Sequence, residues 1–271
     1  MANVLYGALG PLGRGAGRAA VWSPLDVAAT AALWLDASDA ATFTQSGGVV
    51  SEWRDKSGNA RHGVQSDNAR RPRIDTGTIN GLPVVRKTGA SQDLAVSMGS
   101  ALVNPFTVFW VARFTSNHNY TKSLSATNAA QNYNGGAPIY RKDDNTWASY
   151  PIWAASAFLD GFGTALQNVS YQFGFSRPVP GNNAFVYVSG TSFNLGVMSG
   201  HALDNTHLHP LAGDGFSVSV NQSGNNDCAE VVMYEGVLGT ADRHLVEGYL
   251  AHKWGLTADL PAAHPYKVNP P

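Results

Sequence analysis

The chain has a single cysteine, Cys228, in 271 residues. No intrachain disulfide can form, so the fold rests on its core and is compatible with a reducing cytosol. Charge is also scarce. Asp, Glu, Lys and Arg make up 14% of the residues, below the usual quarter, and 18 basic against 19 acidic residues give a formal net charge of −1. So even a balance supplies no field to draw the chain onto nucleic acid or an anionic membrane, and neither is expected as a partner. No apolar run approaches the ~20 residues that a helix needs to cross a bilayer. The opening residues, MANVLYGALGPLGRGAGRAAVW, have no uninterrupted apolar core of the secretory kind, because glycines, Pro11, Arg14 and Arg18 interrupt it. The expectation is a protein made soluble in the cytosol, leaving the cell, if it does, by a route such as lysis.

What is present points to strands. Apolar residues reach 44%, enough for a sizeable core, and 29 glycines among many Asn, Ser and Thr predict numerous tight turns. Short β-type runs follow one another from Ala32 onward: ALWLDAS, VVSEW, LPVVRKT, DLAVSM, SYQFGFSR, AFVYVSG, FSVSV and CAEVVMYEGV. In FTVFWVARF, residues 106–114, both alternating faces carry large apolar groups, as in a strand at the middle of a sandwich. Many short strands without interleaved helices predict an antiparallel two-sheet sandwich.

One stretch departs from this texture. From Thr240, a suitable N-cap, Leu245, Val246, Tyr249, Leu250 and Trp254 recur at helical spacing, with Asp242 in the first turn. Gly255 stands where a left-handed residue ends a helix, Leu256 can fold back on the last turn, and Pro261 forbids continuation. The spacing predicts a structural helix capping the edge of the sandwich.

Residues 1–30 read as a separate N-terminal arm, and residues 31–271 as the folded domain. Gly7, Gly10, Gly13, Gly15 and Gly17 leave the arm little to bury. Its apolar hooks are Val4, Leu5, Tyr6, Leu9, Leu12 and Trp22. The expectation is an extended attachment segment that orders against another subunit.

Five stretches in fixed order carry a family resemblance: LWLDASD (33–39), EWRDKSGN (52–59), NGLPVVRKTG (80–89), AEVVMYEGVL (229–238) and VEGYLAHKWGL (246–256), followed by LPAAHPYK. The chain resembles the laminin-G-like, concanavalin-A-like jelly-roll domains of phage structural proteins and large bacterial surface proteins, over about residues 24–268 and more strongly at the two ends than between 115 and 225. The resemblance implies an all-β fold, a two-sheet antiparallel jelly-roll sandwich with one C-terminal α-helix and the extended N-terminal arm. It also implies carbohydrate or protein binding, without fixing one ligand. On physical grounds, Asp55, Ser57, Gly58 and Asn59 should hold a tight turn, Trp34 and Trp53 should fill the core, and Glu230, inside an apolar strand, should be a buried acceptor tying down a loop.

Some jelly rolls cleave glycans, and such chemistry requires particular residue patterns. A retaining glycosidase needs two carboxylates about 5 Å apart. The nearest pair, Glu230 and Glu235, has odd spacing, which puts them on opposite faces of a strand. No lyase set, phosphate loop or nucleophile elbow is present. Among possible metal ligands, His207 and His209 share a strand face with His201 and Asp204 nearby. No cofactor is required by anything in the sequence, but calcium fits the oxygen-rich loops, with Asp143, Asp144 and Asn145 as candidate ligands and Asn225 and Asp227 as a second loop. The segment holding Tyr133, Tyr140, Trp147, Tyr150 and Trp153, with Asn145 among them, has the aromatic and amide mixture of a glycan site.

The reading is a non-enzymatic phage virion protein, a head-decoration or tail component assembled in the bacterial cytoplasm. It would be present in many copies or as a homo-oligomer, join other virion proteins through its arm, and bind host-surface glycans. A carbohydrate-binding module of a bacterial surface protein and a glycan-cleaving enzyme are the alternatives.

Overall fold

The computed structural model describes residues 22–271 apart from 90, 101, 103–104, 117–120, 129–137, 143, 150–158, 198–204 and 212–223. The strand Phe106–Phe114 lies at the centre, between Asn226–Glu235 and Ser170–Arg177, with Trp110 opposite both Val231 and Phe173. Its alternation is two-sided, as expected. Phe106, Val108, Trp110, Ala112 and Phe114 enter one apolar core, while Phe109 and Val111 enter a second.

From this centre the antiparallel ladder continues outward through Asn183–Val188 to Thr191–Val197 on one side. On the other it runs through Leu82–Lys87 and Arg73–Ile79 to Val49–Trp53, Gly63–Val64, Ala95–Ser97, Asn205–His209 and Ser125–Asn128. Arg73–Ile79 meets Val49–Trp53 at a single paired position, Arg73 opposite Val49. Beyond that narrow joint the strands face back onto the central ones, so Val50, Trp53, Val96, Ala126 and Leu208 share the first core with Trp110, Phe173 and Val231. Thr121–Lys122, Tyr140–Arg141, Trp147–Ser149 and Leu159–Phe162 form a further four-stranded sheet. The fold is the all-β antiparallel sandwich that the alternation predicted.

The helix Thr240–Trp254 differs from expectation in place and in cap. It packs over the outer face of the central sheet rather than its edge: Val246, Leu250, Ala251 and Trp254 close the second core against Phe109, Val111, Val232 and Tyr234. That sheet face is apolar along its middle strands and would expose them without a cover. The N-cap is Gly239, with no side-chain cap, so Thr240 is the first helical residue. The C-terminal end is as read: Gly255 is left-handed at φ 72°, and Leu256 returns its N–H to the Ala251 carbonyl at 2.7 Å and is buried. Gly248 is dictated by a close approach, since a Cβ there would lie 2.4 Å from that of Tyr266 in the returning C-terminal segment.

The border between arm and domain also moves. Val27 is buried in the second core, the Tyr234 hydroxyl donates to the Pro24 carbonyl at 2.9 Å, and the Trp22 ring lies 5.3 Å from that of Tyr249. Residues 22–30 therefore belong to the folded body, and Trp22 is a hook onto its own helix rather than onto a neighbour. Val4, Leu5, Tyr6, Leu9 and Leu12 lie outside the described residues.

Candidate functional site

Two of the five aromatics of the expected platform, Tyr140 and Trp147, turn into the protein instead. Tyr140 and Trp147 are buried, and the Trp147 ring packs edge-on against Tyr171 at 4.9 Å and Phe173 at 5.1 Å, leaving no open face for a sugar. Tyr133, Tyr150 and Trp153 fall outside the described residues. The aromatic density of this stretch reflects, in its described part, a strand that joins the core.

Two of the three candidate calcium ligands already face cationic side chains. The Asn145 amide oxygen accepts from the Arg141 guanidinium. Asp144 lies 3.1 Å from Lys142 and also accepts from Thr146, while Asp160 holds the same ammonium at 2.8 Å. Bonds from Asp160 first and Asp144 second hold Lys142 well above the ordinary lysine range. Its ammonium stands where a calcium ion would need to be; Asp143 lies outside the described residues. In the second loop Asp227 is bridged by Arg86 at 2.6 Å and Arg113 at 2.8 Å.

The motifs of the resemblance converge beneath the helix. Asp55 accepts from the backbone N–H groups of Trp34 at 2.9 Å and Ser57 at 2.8 Å, so its turn pins the first long strand, Ala31–Asp36. Glu230 is fully buried on the helix side. Its Oε1 accepts from Trp34 Nε1 at 2.7 Å and Tyr249 Oη at 2.9 Å, and its Oε2 from Trp254 Nε1 at 2.7 Å and Lys253 Nζ at 2.8 Å. Lys253 also reaches Asp36 at 2.7 Å, and Lys56 closes on the other Asp36 oxygen at 2.9 Å. Burial pushes the Glu230 carboxyl upward and prevails over the pull of Lys253. Burial acts likewise on Asp36, but there Lys253, Ser38 and Lys56 prevail and hold it below the ordinary range. Four donors fill the carboxylate's acceptor positions. Glu230 is thus a structural acceptor, tying down the helix rather than a loop, and Glu235 stands exposed at the strand's end.

A second carboxylate on the helix, Glu247, lies within ligand reach of His244 and His264. Its oxygens, however, take both short bonds from Arg243 Nη1, 2.7 and 2.8 Å. His264 Nδ1 accepts from the Tyr266 N–H, which places the ring proton on Nε2, facing Glu247 at 3.2 Å. A metal would have to displace that proton, which the Tyr266 N–H bars from moving to Nδ1. This trio fastens the C-terminal segment.

Buried polar atoms without partners occur at several places, among them Trp53, Gln172, Ser189 and Asp93, and that of Asp93 borders a groove. This groove, of about 600 Å³, crosses the outer face of the short strands Gly63–Val64, Ala95–Ser97 and Asn205–His209, walled by the loop of residues 65–71. His62, Arg70, Asp93, Ser97 and His207 line it. His62 Nδ1 accepts from the Asp55 N–H at 3.1 Å, so its Nε2–H is available to donate. Arg70 uses only Nε, on the Ser91 carbonyl at 3.1 Å. Burial, and next the neighbouring His209, lower the His207 pKa and keep that ring neutral. Asp93 is buried at the floor. Its Oδ2 lies 2.6 Å from His209 Nδ1, whose Nε2 meets Thr127 Oγ1 at 2.9 Å, while Oδ1, itself shielded from solvent, has no side-chain partner among the described residues. Burial would raise the Asp93 carboxyl, but His209 and Lys87 hold it below the ordinary range, so it is ionised and accepts. His209 is therefore bonded at both ring nitrogens; His201 and Asp204 lie outside the described residues.

No family model matches the sequence, and no curated protein matches it. Solved structures do match by shape. Trypanosoma rangeli sialidase in complex with sialic acid aligns at a TM-score of 0.53 and 14% identity, over 82% of this chain and 33% of that one. The same enzyme with the inhibitor DANA gives 0.53 and 13% identity, over 78% and 31%. The binding domain of botulinum neurotoxin serotype D aligns at 0.49 and 14%, over 80% and 50%. The chain spans about a third of the length of the sialidases it matches. At such identity, what is shared with the sialidases is the β-sandwich fold.

Proposed function

We propose that the chain is a non-catalytic β-sandwich recognition domain that binds glycans in the outer-face groove. The observation that carries this reading is the reserve of hydrogen-bonding groups there: one ionised acceptor, Asp93 Oδ1, beside donors on His62 and Arg70. A sugar hydroxyl both donates and accepts, so a convergent set of this kind suits a polyol. The carboxylates that a glycosidase would need are otherwise engaged; Glu230, Glu247 and Asp227 each hold structural partners. The sialidase likeness is one of fold and adds to the carbohydrate reading only by analogy.

Within the same proposal, the domain serves on a phage particle as a decoration or tail component, present in several copies and attached through residues 1–21. The support is the ordered motif set and the apolar hooks of that segment. Titration of the full chain against an oligosaccharide panel tests the binding role: at least one glycan should bind, and Asp93→Asn should weaken it without releasing any cleavage product. Product release from the panel would overturn the non-catalytic reading. Deleting residues 2–21 should leave the melting temperature unchanged and abolish recovery of the chain with purified particles. Normal recovery would move the attachment site onto the sandwich.

A further inference from the structure

We infer that the groove selects sugars bearing an anionic group, a uronate-type carboxylate or a sulfate, rather than neutral glycans; this rests on the glycan reading above. Elsewhere in the fold Arg54, Lys56, Arg86, Arg113, Lys142, Arg243 and Lys253 each lie within 4.0 Å of a carboxylate oxygen. Among the described residues, Arg70 and Arg71, side by side on the groove wall, have no carboxylate at that distance, a state shared by Arg61, Arg73 and Lys267, which reach backbone carbonyls outside the groove. Arg71 is fixed by the carbonyls of Gln65 at 2.8 Å and Ser66 at 3.0 Å and by the Asn68 side chain, so it holds the loop and contributes charge. Among the described residues, Arg70 is anchored only through Nε, and its Nη groups have no partner there. A guanidinium fork held at one corner presents paired donors with the spacing of a carboxylate or sulfate.

Of the acids nearby, Asp67 keeps its charge on the groove wall, while Glu52 and Asp93 face partners of their own. Asp67 turns Oδ1 onto the Ala69 N–H at 3.0 Å, capping the short turn of residues 68–70. Glu52, on the strand beside the groove, bonds to Thr44 at 2.7 Å and pairs with Arg54 at 3.3 Å. The Asp93 charge is met by His209 and Lys87, and its unpartnered Oδ1 accepts at the floor. An anion alone would find Arg70 but be turned away from Asp93. A neutral sugar would satisfy Asp93 and leave the Arg70 fork unmatched. A sugar acid meets both, its hydroxyl donating to Asp93 Oδ1 and its acidic group accepting from Arg70.

The test compares four probes on the full chain by titration calorimetry: oligogalacturonate, its fully methyl-esterified form, a sulfated heparin tetrasaccharide and inorganic phosphate. Oligogalacturonate or the sulfated probe should bind at least about tenfold more tightly than the ester, since a charge-assisted bidentate contact is lost. Arg70→Ala should remove that margin between acid and ester and keep the melting temperature; Arg70→Lys should restore only part of it. Preference for the sulfated probe assigns the anion as sulfate, and preference for the uronate assigns it as carboxylate. Equal affinity for the ester and the acid overturns the anionic preference while leaving the glycan reading intact. Phosphate binding as tightly as either acidic sugar would also overturn it, as a charge site without sugar recognition. Binding of no probe overturns both.

Discussion

The two outer faces of the sandwich treat their polar groups in opposite ways. Under the helix, Glu230 takes four donors and Asp36 is enclosed by Lys253, Lys56 and Ser38. Across the molecule, Arg70 and Asp93 keep bonding capacity that no neighbour satisfies. Burying unsatisfied polar atoms costs free energy, so the closed network under the helix holds the fold together, while the open one in the groove is where the proposed ligand would complete the bonding. The difference teaches that a buried carboxylate with a raised pKa is not by itself a sign of chemistry; what matters is whether any lone pair is left.

The contrast can be broken most forcefully at the helix. Trp254→Ala removes a ring buried in the second core and the donor to Glu230 Oε2, so unfolding should become easier by about 3–5 kcal/mol in denaturant titration. Little change would show that the helix is peripheral.

Glu230→Gln keeps shape but turns an amide N–H₂ toward donors, leaving an indole N–H or the Lys253 ammonium unsatisfied. The expected loss is about 1–3 kcal/mol. A double-mutant cycle with Trp254→Phe should show coupling, because the two groups share one bond.

A smaller effect is read by pH and is common to both faces. Asp36 and Asp93 are both held below the ordinary aspartate value. Each therefore contributes stability that is complete above about pH 4, near the unfolded-chain value, and lost as the pH falls through its folded value. Asp36→Asn should flatten the acid limb of the stability profile, read by thermal melts between pH 2 and pH 6 (roughly the carboxylate range). An unchanged limb would show that the Lys253–Asp36 contact adds nothing in solution.

Much of the fold was legible. The two-sided pattern of Phe106–Phe114, the Asp55 turn, Trp53 in the core and the Gly255–Leu256 helix end are all as the residues indicate, because each depends on local spacing. Glu230 was legible as a buried acceptor, but its partners Trp34 and Trp254 are 196 and 24 residues away, so which element it ties was not. The groove was not legible at all. Its lining comes from residues 51–71, 93–97 and 207, which only the sheet order brings together. The aromatic stretch around Trp147 misled for a related reason, since composition does not say which face of a short strand turns inward.

The central claim is that the helix face holds the fold while the groove meets the ligand. It is tested most directly by measuring the melting temperature and oligogalacturonate affinity of Arg70→Ala and Glu230→Gln side by side. The account predicts a crossed result. Arg70→Ala should stay within about 0.5 kcal/mol of the parent in stability, as a change at a half-exposed surface turn, and lose at least about tenfold in affinity. Glu230→Gln should lower the melting temperature and, once folded, bind as the parent does. Loss of binding by Glu230→Gln at an unchanged melting temperature, with Arg70→Ala binding normally, would contradict it.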